Sequence, residues 1–366
     1  MALRPQPKHL IAWLAVLLVT SHAVGQTQPP TSSAATTAAT AAQHNSSYIE
    51  PDGTAHISRI IPVPGSLSPQ AQSLLRRPVT DVNNEPQLPQ RRQMLGAYRG
   101  KARQQWLKVC PAVTIADDTL GGVPALRVSP HSVPAANNGK VLLALHGGGF
   151  DSDSGSISET IPIACYTQIP VVAALYRLAP EHPFPAAVDD AVAVYRELLK
   201  THKPEQIAIY GTSAGAILTG EVAVRLKQLS IPEPAALGIF SGMGDFSAID
   251  DSSALYSLTG LSGYVASETG ERKLSPYEGN ANPKDPVLSP MYADLHGMPP
   301  ALFVTSGRDL LLSGTINLHR AFLRAGDDAR LVVFEGLPHA FWYDPELPES
   351  IEANQYMAKF LASQLK

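Results

Sequence analysis

Short apolar runs alternate with longer amphipathic stretches over most of the chain after residue 110. A continuous apolar run of four to six residues indicates a strand that is buried on both faces, and apolar residues three and four positions apart indicate a helix with one buried side. The predicted strands are Ala125–Val128, Val141–Leu145, Val171–Leu175, Ile207–Tyr210, Ala236–Phe240, Ala301–Thr305 and Leu331–Phe334. The predicted helices are Ser156–Thr167, Ala187–Lys200, Ala214–Leu226, Gly314–Leu323 and Ser350–Leu365. This alternation predicts an α/β fold, with a mostly parallel central sheet and helices on both faces.

Two further helices are predicted upstream of the alternating region. Ser68 followed by Pro69 is a typical helix start, and the helix continues to Leu75. The run Arg91–Leu107 has apolar residues at helical spacing, namely Met94, Leu95, Tyr98, Ala102, Trp106 and Leu107. These helices either pack on the core in the ordinary way or form an N-terminal helical cap that closes a small pocket over an active site.

The stretch Gly242–Asp294 breaks the alternation and is rich in Ser, Gly and Asp. A loop of this size in a compact domain is usually functional or carries an insertion. We therefore expect irregular structure and short helices near the site.

The first 25 residues have the pattern of a signal peptide. Arg4 and Lys8 precede the apolar run Leu10–Thr20, which is shorter than the ~20 residues that a bilayer span needs. Small residues follow, so cleavage is expected after Ala23 or Gly25. The sequence then predicts a disordered linker over 26–50, a helical cap segment over 51–110 and the main α/β domain over 111–366. We expect an exported protein, periplasmic or secreted, with no stable membrane span after processing; an uncleaved N-terminal anchor is the alternative.

The charge of the chain argues against one class of partner, and its two cysteines leave the redox state open. The net charge is −4 and no run of basic residues is present, so nucleic acid is not an expected partner. Cys110 and Cys165 either pair in an oxidising compartment or remain two buried thiols, and the sequence leaves both options open. The oligomeric state is also open, with a homodimer as one option.

The chemistry centres on the residues that follow the strand Ile207–Tyr210. The order Gly211-Thr212-Ser213-Ala214-Gly215 places a Gly-x-Ser-x-Gly motif between a strand and a helix. That context needs a sharp turn, which strains the serine and exposes its hydroxyl at a helix N-terminus. Ser213 is therefore the candidate nucleophile.

A glycine-rich segment follows the strand Val141–Leu145 directly. It reads His146-Gly147-Gly148-Gly149-Phe150, and a glycine triplet lets backbone N–H groups approach a ligand closely. The N–H groups of Gly147, Gly148 and Ala214 are predicted to form an oxyanion hole. A flexible turn without a chemical role is the alternative.

A serine nucleophile needs a base, and the base needs an acid to orient it. His339 is the candidate base because it follows the last predicted strand in a loop. Asp309 is the candidate acid because it follows Ala301–Thr305, so that its carboxylate is expected at the same sheet edge as Ser213. The rival acids are Asp327, Asp328, Glu335 and Asp344. The first two fall in a turn at the opposite edge.

The order Ser213, Asp309, His339 is the one that α/β-hydrolases use. From Val141 to Trp342 the chain resembles the hormone-sensitive-lipase family, in the bacterial branch whose motif reads Gly-Thr-Ser-Ala-Gly. The matching segments are His146–Phe150, Tyr176–Ala187, Arg308–Ser313 and Leu337–His339. The resemblance implies an α/β-hydrolase fold with an N-terminal cap, and a carboxylesterase that acts on small acyl esters without metal or organic cofactor. Ala216, where many relatives have glycine, is a departure that lies outside the motif.

The expected protein is thus an exported serine esterase for short-chain acyl esters. An amidase or deacetylase that uses the same residues is one alternative. A ligand-binding protein on an inactive hydrolase frame is another, and such a protein would be expected to have lost His339.

Overall fold

The computed structural model describes residues 47–77, 86–152, 157–265, 272 and 274–366. The predicted signal peptide and most of the predicted linker lie outside them. The chain divides into two compact units, Met1–Pro62 and Val63–Lys366. In the described part of the first unit, β1 (Ser47–Ile49) pairs with β2 (Ala55–Ile57) as an antiparallel hairpin. Strand pairing therefore begins inside the predicted linker, and the segment 51–110 is not helical throughout.

The second unit is built on a sheet that contains eight of the described strands. The strands are β3 (Val113–Leu120), β4 (Val123–Pro130), β5 (Val141–Leu145), β6 (Val171–Ala174), β7 (Ile207–Thr212), β8 (Ala236–Phe240), β9 (Ala301–Arg308) and β10 (Ala329–Pro338). Their order is β3-β4-β6-β5-β7-β8-β9-β10, with antiparallel pairing from β3 to β6 and parallel pairing from β6 to β10. The predicted mostly parallel sheet is confirmed. The prediction missed β3, because this edge strand is largely exposed and has no continuous apolar run.

Helices cover both faces of the sheet. The helices of the described residues are α1 (Pro69–Leu75), α2 (Leu88–Val109), α3 (Thr160–Thr167), α4 (Ala186–Leu198), α5 (Ala214–Gln228), α6 (Asp251–Leu255), α7 (Leu312–Ala325) and α8 (Pro348–Gln364). As predicted, Ser68 caps α1, since its Oγ accepts a hydrogen bond from the backbone N–H of Ala71 at 3.1 Å. Helix α3 begins at Thr160, after a turn at residues 158 and 159, and the predicted start at Ser156 lies outside the described residues.

The core lies in two layers, one on each face of the sheet. Along β5, Leu143 and Leu145 pack into the layer that contains α4 and α5, whereas Leu142 and Ala144 pack into the layer that contains α3 and α8. Every residue of β5 is buried, as the continuous apolar run predicts for a strand that is covered on both faces.

Helix α2 contacts this core with a narrower face than the sequence predicts. Arg99, Ala102 and Trp106 are buried, and the Trp106 Nε1–H donates to the carbonyl oxygen of Tyr343 at 3.1 Å. Met94 and Tyr98, two of the apolar residues at helical spacing, are 62% and 54% exposed. Ordinary packing on the core therefore does not account for these two residues, and a cap over an active site stays a prediction.

A disulfide between Cys110 and Cys165 settles the question that the sequence left open. Cys110 is the residue after α2, and Cys165 lies on α3. The bond therefore joins the end of the long N-terminal helix to the α/β core. No helix in the described parts of the chain is long and apolar enough to cross a membrane.

Candidate active site

Five chemically distinctive residues follow directly on the ends of parallel strands. His146 follows β5, Ser213 follows β7, Ser241 follows β8, Asp309 follows β9 and His339 follows β10. Because the carboxyl ends of parallel strands meet at one edge of the sheet, all five residues lie at that edge. The sequence predicted this for four of them and missed Ser241.

Ser213 has the strained backbone that the Gly-x-Ser-x-Gly motif predicts, with φ 60° and ψ −124°. A Cβ atom on Gly215 would lie 1.9 Å from the carbonyl oxygen of Leu145, and one on Gly211 would lie 2.3 Å from that of Gly215. Both contacts are impossible, so the turn requires glycine at each position. The Ser213 N–H donates to the carbonyl oxygen of Phe240 at 3.0 Å, which fixes the turn against β8.

The glycine loop, His146–Phe150, lies against this turn. A Cβ atom on Gly147 would be 3.3 Å from the Ser213 Cβ and 2.9 Å from the carbonyl oxygen of Thr212. The backbone then follows left-handed conformations, with φ of 104° at Gly148, 65° at Gly149 and 65° at Phe150. The loop therefore brings backbone, rather than side chains, next to the candidate nucleophile.

His146 is a buried residue of this loop. Its ring stacks on Tyr176 with 4.0 Å between centroids, and its Nδ1–H donates to the carbonyl oxygen of Gly147 at 2.8 Å. Burial lowers the pKa of His146 to about 4. The ring is therefore neutral at pH 7 and acts as a packing element of the loop.

Asp309 and His339 form a buried pair. Asp309 Oδ1 lies 2.8 Å from His339 Nδ1, and the two side chains are 0% and 6% exposed. Asp309 also accepts hydrogen bonds from the Ser241 hydroxyl, from the Thr305 hydroxyl at 2.9 Å and from the Leu311 N–H at 2.9 Å. Burial alone would raise the pKa of Asp309, but the charge and hydrogen bond of His339, with the bonds from Ser241 and Leu311, outweigh it and hold the pKa below its usual range.

Ser241 contacts both members of this pair. Its Oγ lies 2.8 Å from His339 Nδ1 and donates to Asp309 Oδ2. The residue is fully buried and has a left-handed backbone, with φ 59°. Ser241 does not belong to the nucleophile, base and acid pattern, so the sequence did not predict it. The one sequence signal for Ser241 is that it is the first residue after a parallel strand.

The rival acids have other environments. Asp327 and Asp328 immediately precede β10, at the opposite edge of the sheet, as predicted. Glu335 accepts a hydrogen bond from the Ser66 hydroxyl at 2.5 Å. Asp344 Oδ1 accepts one from the backbone N–H two residues further on, at 3.0 Å. Asp309 is thus the acid that pairs with His339.

Helix α2 is tied to the segments that flank the glycine loop. Arg92 donates to the carbonyl oxygens of Asp151 at 2.6 Å and Ala179 at 3.0 Å, and both oxygens of Glu181 accept from its guanidinium at 2.7 Å. The hydrogen bond from Arg92 lowers the pKa of Glu181 to about 2. Arg91 donates to the carboxylate of Asp151. These contacts tie α2 to the Tyr176–Pro185 segment, which lies beside the glycine loop.

Within the described parts of the chain, no three His, Cys, Asp or Glu side chains lie close enough together to hold a metal ion.

Known proteins resemble this chain in both sequence and structure. Residues 142–343 match the family model for the alpha/beta hydrolase fold. An acetyl-hydrolase of Streptomyces hygroscopicus is 34% identical over 237 residues, which are 62% of this chain and 77% of that protein. The crystal structure of esterase E25 matches with a TM-score of 0.73 at 29% identity, over 84% of this chain and 98% of that one. An esterase from the bacterial hormone-sensitive lipase family matches with a TM-score of 0.64 at 31% identity, over 77% of this chain and 100% of that one.

The chain therefore belongs to the α/β-hydrolase family, in its hormone-sensitive-lipase branch. It is an enzyme of the carboxylic ester hydrolase class.

Proposed function

We propose that the protein is an exported serine carboxylesterase that hydrolyses short-chain acyl esters. Ser213 attacks the ester carbonyl, His339 accepts the serine proton, and Asp309 holds the imidazole in the required tautomer. The observation that carries the proposal is the buried Asp309–His339 pair, 2.8 Å apart, at the same sheet edge as the strained Ser213.

The tetrahedral intermediate places negative charge on the former carbonyl oxygen. The backbone N–H groups of Gly147, Gly148 and Ala214 receive that oxygen. Two features support this role: the close approach of Gly147 to Ser213, and the position of Ala214 as the first residue of α5, where backbone N–H groups have no partner within the helix. The bond to the alcohol then breaks, the alcohol leaves with the proton from His339, and the acyl group stays on Ser213. Water, which gives a proton to His339, attacks this acyl-enzyme in the same way and releases the carboxylic acid and a free Ser213.

The test of the mechanism is Ser213→Ala, assayed with p-nitrophenyl acetate and butyrate. We expect activity to fall by about three to six orders of magnitude, since nucleophile and base act as a unit, while the protein stays folded. Ser363→Ala, a change at an exposed serine near the C-terminus, is the control and should retain full activity. Activity of Ser213→Ala within tenfold of the parent would exclude Ser213 as the nucleophile.

A preference for short chains is supported by the anchoring of α2. Arg91 and Arg92 tie this helix to the segments beside the glycine loop. An acyl pocket bounded by α2 would therefore have a limited size, because the helix cannot move away to admit a longer chain. Each buried methylene contributes about 0.8 kcal/mol, so the rate should rise with acyl length until the pocket is full and then drop sharply. A p-nitrophenyl ester series from two to twelve carbons measures this. A rate that keeps rising to the longest ester would contradict a closed pocket.

Removal of acetyl groups is a second candidate activity, because one relative is named an acetyl-hydrolase. The same residues can attack an ester or an amide carbonyl. Assays on matched acetyl ester and acetyl amide substrates separate the two, and an amide rate above the ester rate would make the protein a deacetylase of amides.

Export is supported by the disulfide between Cys110 and Cys165, since disulfides persist in oxidising compartments. We expect the mature chain to begin near Val24 or Gln26. N-terminal sequencing of the exported protein checks this. An intact N-terminus in a membrane fraction would instead support an anchor.

A further inference from the structure

Tyr277 lies in the irregular Gly242–Asp294 region, none of whose residues takes part in the proposed mechanism. The side chain is only 1% exposed. Its ring stacks on Phe150 with 3.5 Å between centroids and 5° between planes, and its hydroxyl donates to Glu221 Oε2 at 2.6 Å. One buried side chain therefore contacts both the glycine loop, through Phe150, and the helix that begins after Ser213, through Glu221.

Phe150 needs such a contact because its backbone is strained. Its φ of 65° is a left-handed conformation that a bulky side chain rarely adopts, and strain of this kind persists only where the surroundings fix it. The Phe150 carbonyl oxygen accepts a hydrogen bond from the Ala179 N–H at 2.8 Å. The stacked ring of Tyr277 holds the side chain of the same residue.

Tyr277 is itself firmly placed. Its backbone N–H donates to the Ser275 hydroxyl at 3.2 Å, and its carbonyl oxygen accepts from the Phe184 N–H at 2.7 Å. The Phe184 ring meets the Tyr277 ring edge to face at 6.1 Å. The ring that supports Phe150 is therefore held from two further directions.

Glu221 gives the tyrosine a fixed partner on α5. It lies eight positions after Ser213, about two helical turns along the axis, and it is fully buried. Burial raises the pKa of Glu221 well above its usual range, and the hydrogen bond from Tyr277 opposes that shift. A buried hydrogen bond of this kind is costly to break on one side only.

We propose that Tyr277 is a positioning residue that fixes the distance between the glycine loop and the helix behind Ser213, and so aligns the oxyanion hole with the nucleophile. This inference rests on the proposed function and names the residue that sets its geometry. A small displacement of the N–H groups of the oxyanion hole weakens the binding of the transition state more than the binding of the substrate. Loss of the tether should therefore lower kcat and leave KM nearly unchanged.

The test is Tyr277→Phe, which keeps the ring on Phe150 and removes only the hydroxyl. We expect kcat for p-nitrophenyl butyrate to fall about tenfold with KM within twofold. The affinity for a boronic acid, which mimics the tetrahedral intermediate, should fall by the same factor. Glu221→Gln keeps an acceptor oxygen for the tyrosine, so its kcat should stay within about threefold of the parent.

Tyr195→Phe is the matched control. Its hydroxyl donates to the carbonyl oxygen of Pro232 at 2.8 Å, and its side chain is fully buried. Pro232 precedes β8, at the sheet edge opposite Ser213. This variant should lose a comparable amount of thermal stability and keep kcat within twofold.

If Tyr277→Phe keeps both kcat and boronic acid affinity within twofold of the parent, the tyrosine is only structural and the inference is wrong. If Tyr277→Phe does not fold, Phe150→Leu replaces it, since it removes the stacked ring but keeps apolar volume. The same selective loss of kcat is expected, and an unchanged kcat would overturn the inference. Both outcomes are distinct from a failure of the proposed function, which would appear as an active Ser213→Ala protein.

Discussion

The two halves of the candidate site are held in place by different physical means. Around Asp309 and His339, the contacts are charges and hydrogen bonds between buried side chains. Around the glycine loop, they are close backbone approach, left-handed dihedral angles and stacked aromatic rings. In the proposed mechanism the first half carries a proton during turnover, whereas the second only presents fixed N–H groups. The acid–base half should therefore respond to changes of charge, and the loop half to changes of volume.

Among the variants that compare the two halves, the largest effect is expected from Asp309→Asn. The amide cannot hold the imidazole in the tautomer that accepts the serine proton, so kcat should fall by about three to four orders of magnitude with little change in KM. Asp344→Asn, an isosteric change at a rival acid, should stay within twofold of the parent. The opposite ranking of these two variants would reassign the acid.

His146 should set part of the pH dependence of stability. Its pKa of about 4 in the folded protein lies below the ~6.5 of an unfolded chain, so the unfolded state binds more protons between these values. The free energy of unfolding therefore has its full value above pH 6.5, and the titration of His146 lowers it by about 3 kcal/mol as the pH falls towards 4. Urea unfolding of His146→Gln at pH 7.5 and 4.5 should show a smaller difference than the parent.

His131→Gln is the control for that measurement, because this histidine is exposed. It should keep the pH dependence of the parent. If His146→Gln keeps it as well, the buried ring is not the group that titrates. Asp309, whose folded pKa is lowered, adds a separate loss of stability only below its unfolded pKa of about 3.9.

Gly147→Ala tests the loop half of the site by adding one methyl group to it. The added methyl group would meet the Thr212 carbonyl oxygen at 2.9 Å and the Ser213 Cβ at 3.3 Å, so the loop must move away from the nucleophile. A displacement of about 1 Å can cost a hundredfold in rate, and we expect kcat to fall by about that factor. Gly100→Ala, where a methyl group would have no neighbour within 4 Å, should be neutral. An active Gly147→Ala enzyme would mean that the loop does not form the oxyanion hole.

Removing a hydroxyl that bonds Asp309 should give the smallest of these effects, and Ser241→Ala is the first case. Ser241 contacts both Asp309 and His339, and hydrogen bonds to charged groups contribute about 1.5–3 kcal/mol. We expect kcat to fall about tenfold. Thr305→Val removes a hydroxyl that bonds Asp309 alone, so its effect should be smaller, about threefold. An equal loss in both variants would show that the contact of Ser241 with His339 has no separate role.

The sequence predicted the positions of the acid–base residues better than the packing around the glycine loop. Continuous apolar runs predicted the strands of the parallel sheet, and parallel strands place the residues that follow them at one edge. The positions of Ser213, Asp309 and His339 at that edge were predicted in this way, and their roles as nucleophile, acid and base stay predictions. Ser241 was missed, because a lone serine after a strand has no motif around it.

Long-range packing was harder to predict. The stacking of Tyr277 on Phe150 joins residues 127 positions apart and leaves no periodic signal. Met94 and Tyr98 had the right spacing for a buried face, but only the fold decides which part of α2 meets the core. Strand β3 was missed for a related reason, since an exposed edge strand needs few apolar residues.

The central claim is that Ser213 is the nucleophile, and covalent labelling tests it most directly. Treating the folded protein with a p-nitrophenyl phosphonate should release one equivalent of p-nitrophenol and abolish esterase activity. Peptide mass spectrometry should place the phosphonyl group on Ser213, and Ser213→Ala should not be labelled. Stoichiometric labelling of another residue together with loss of activity would contradict the claim.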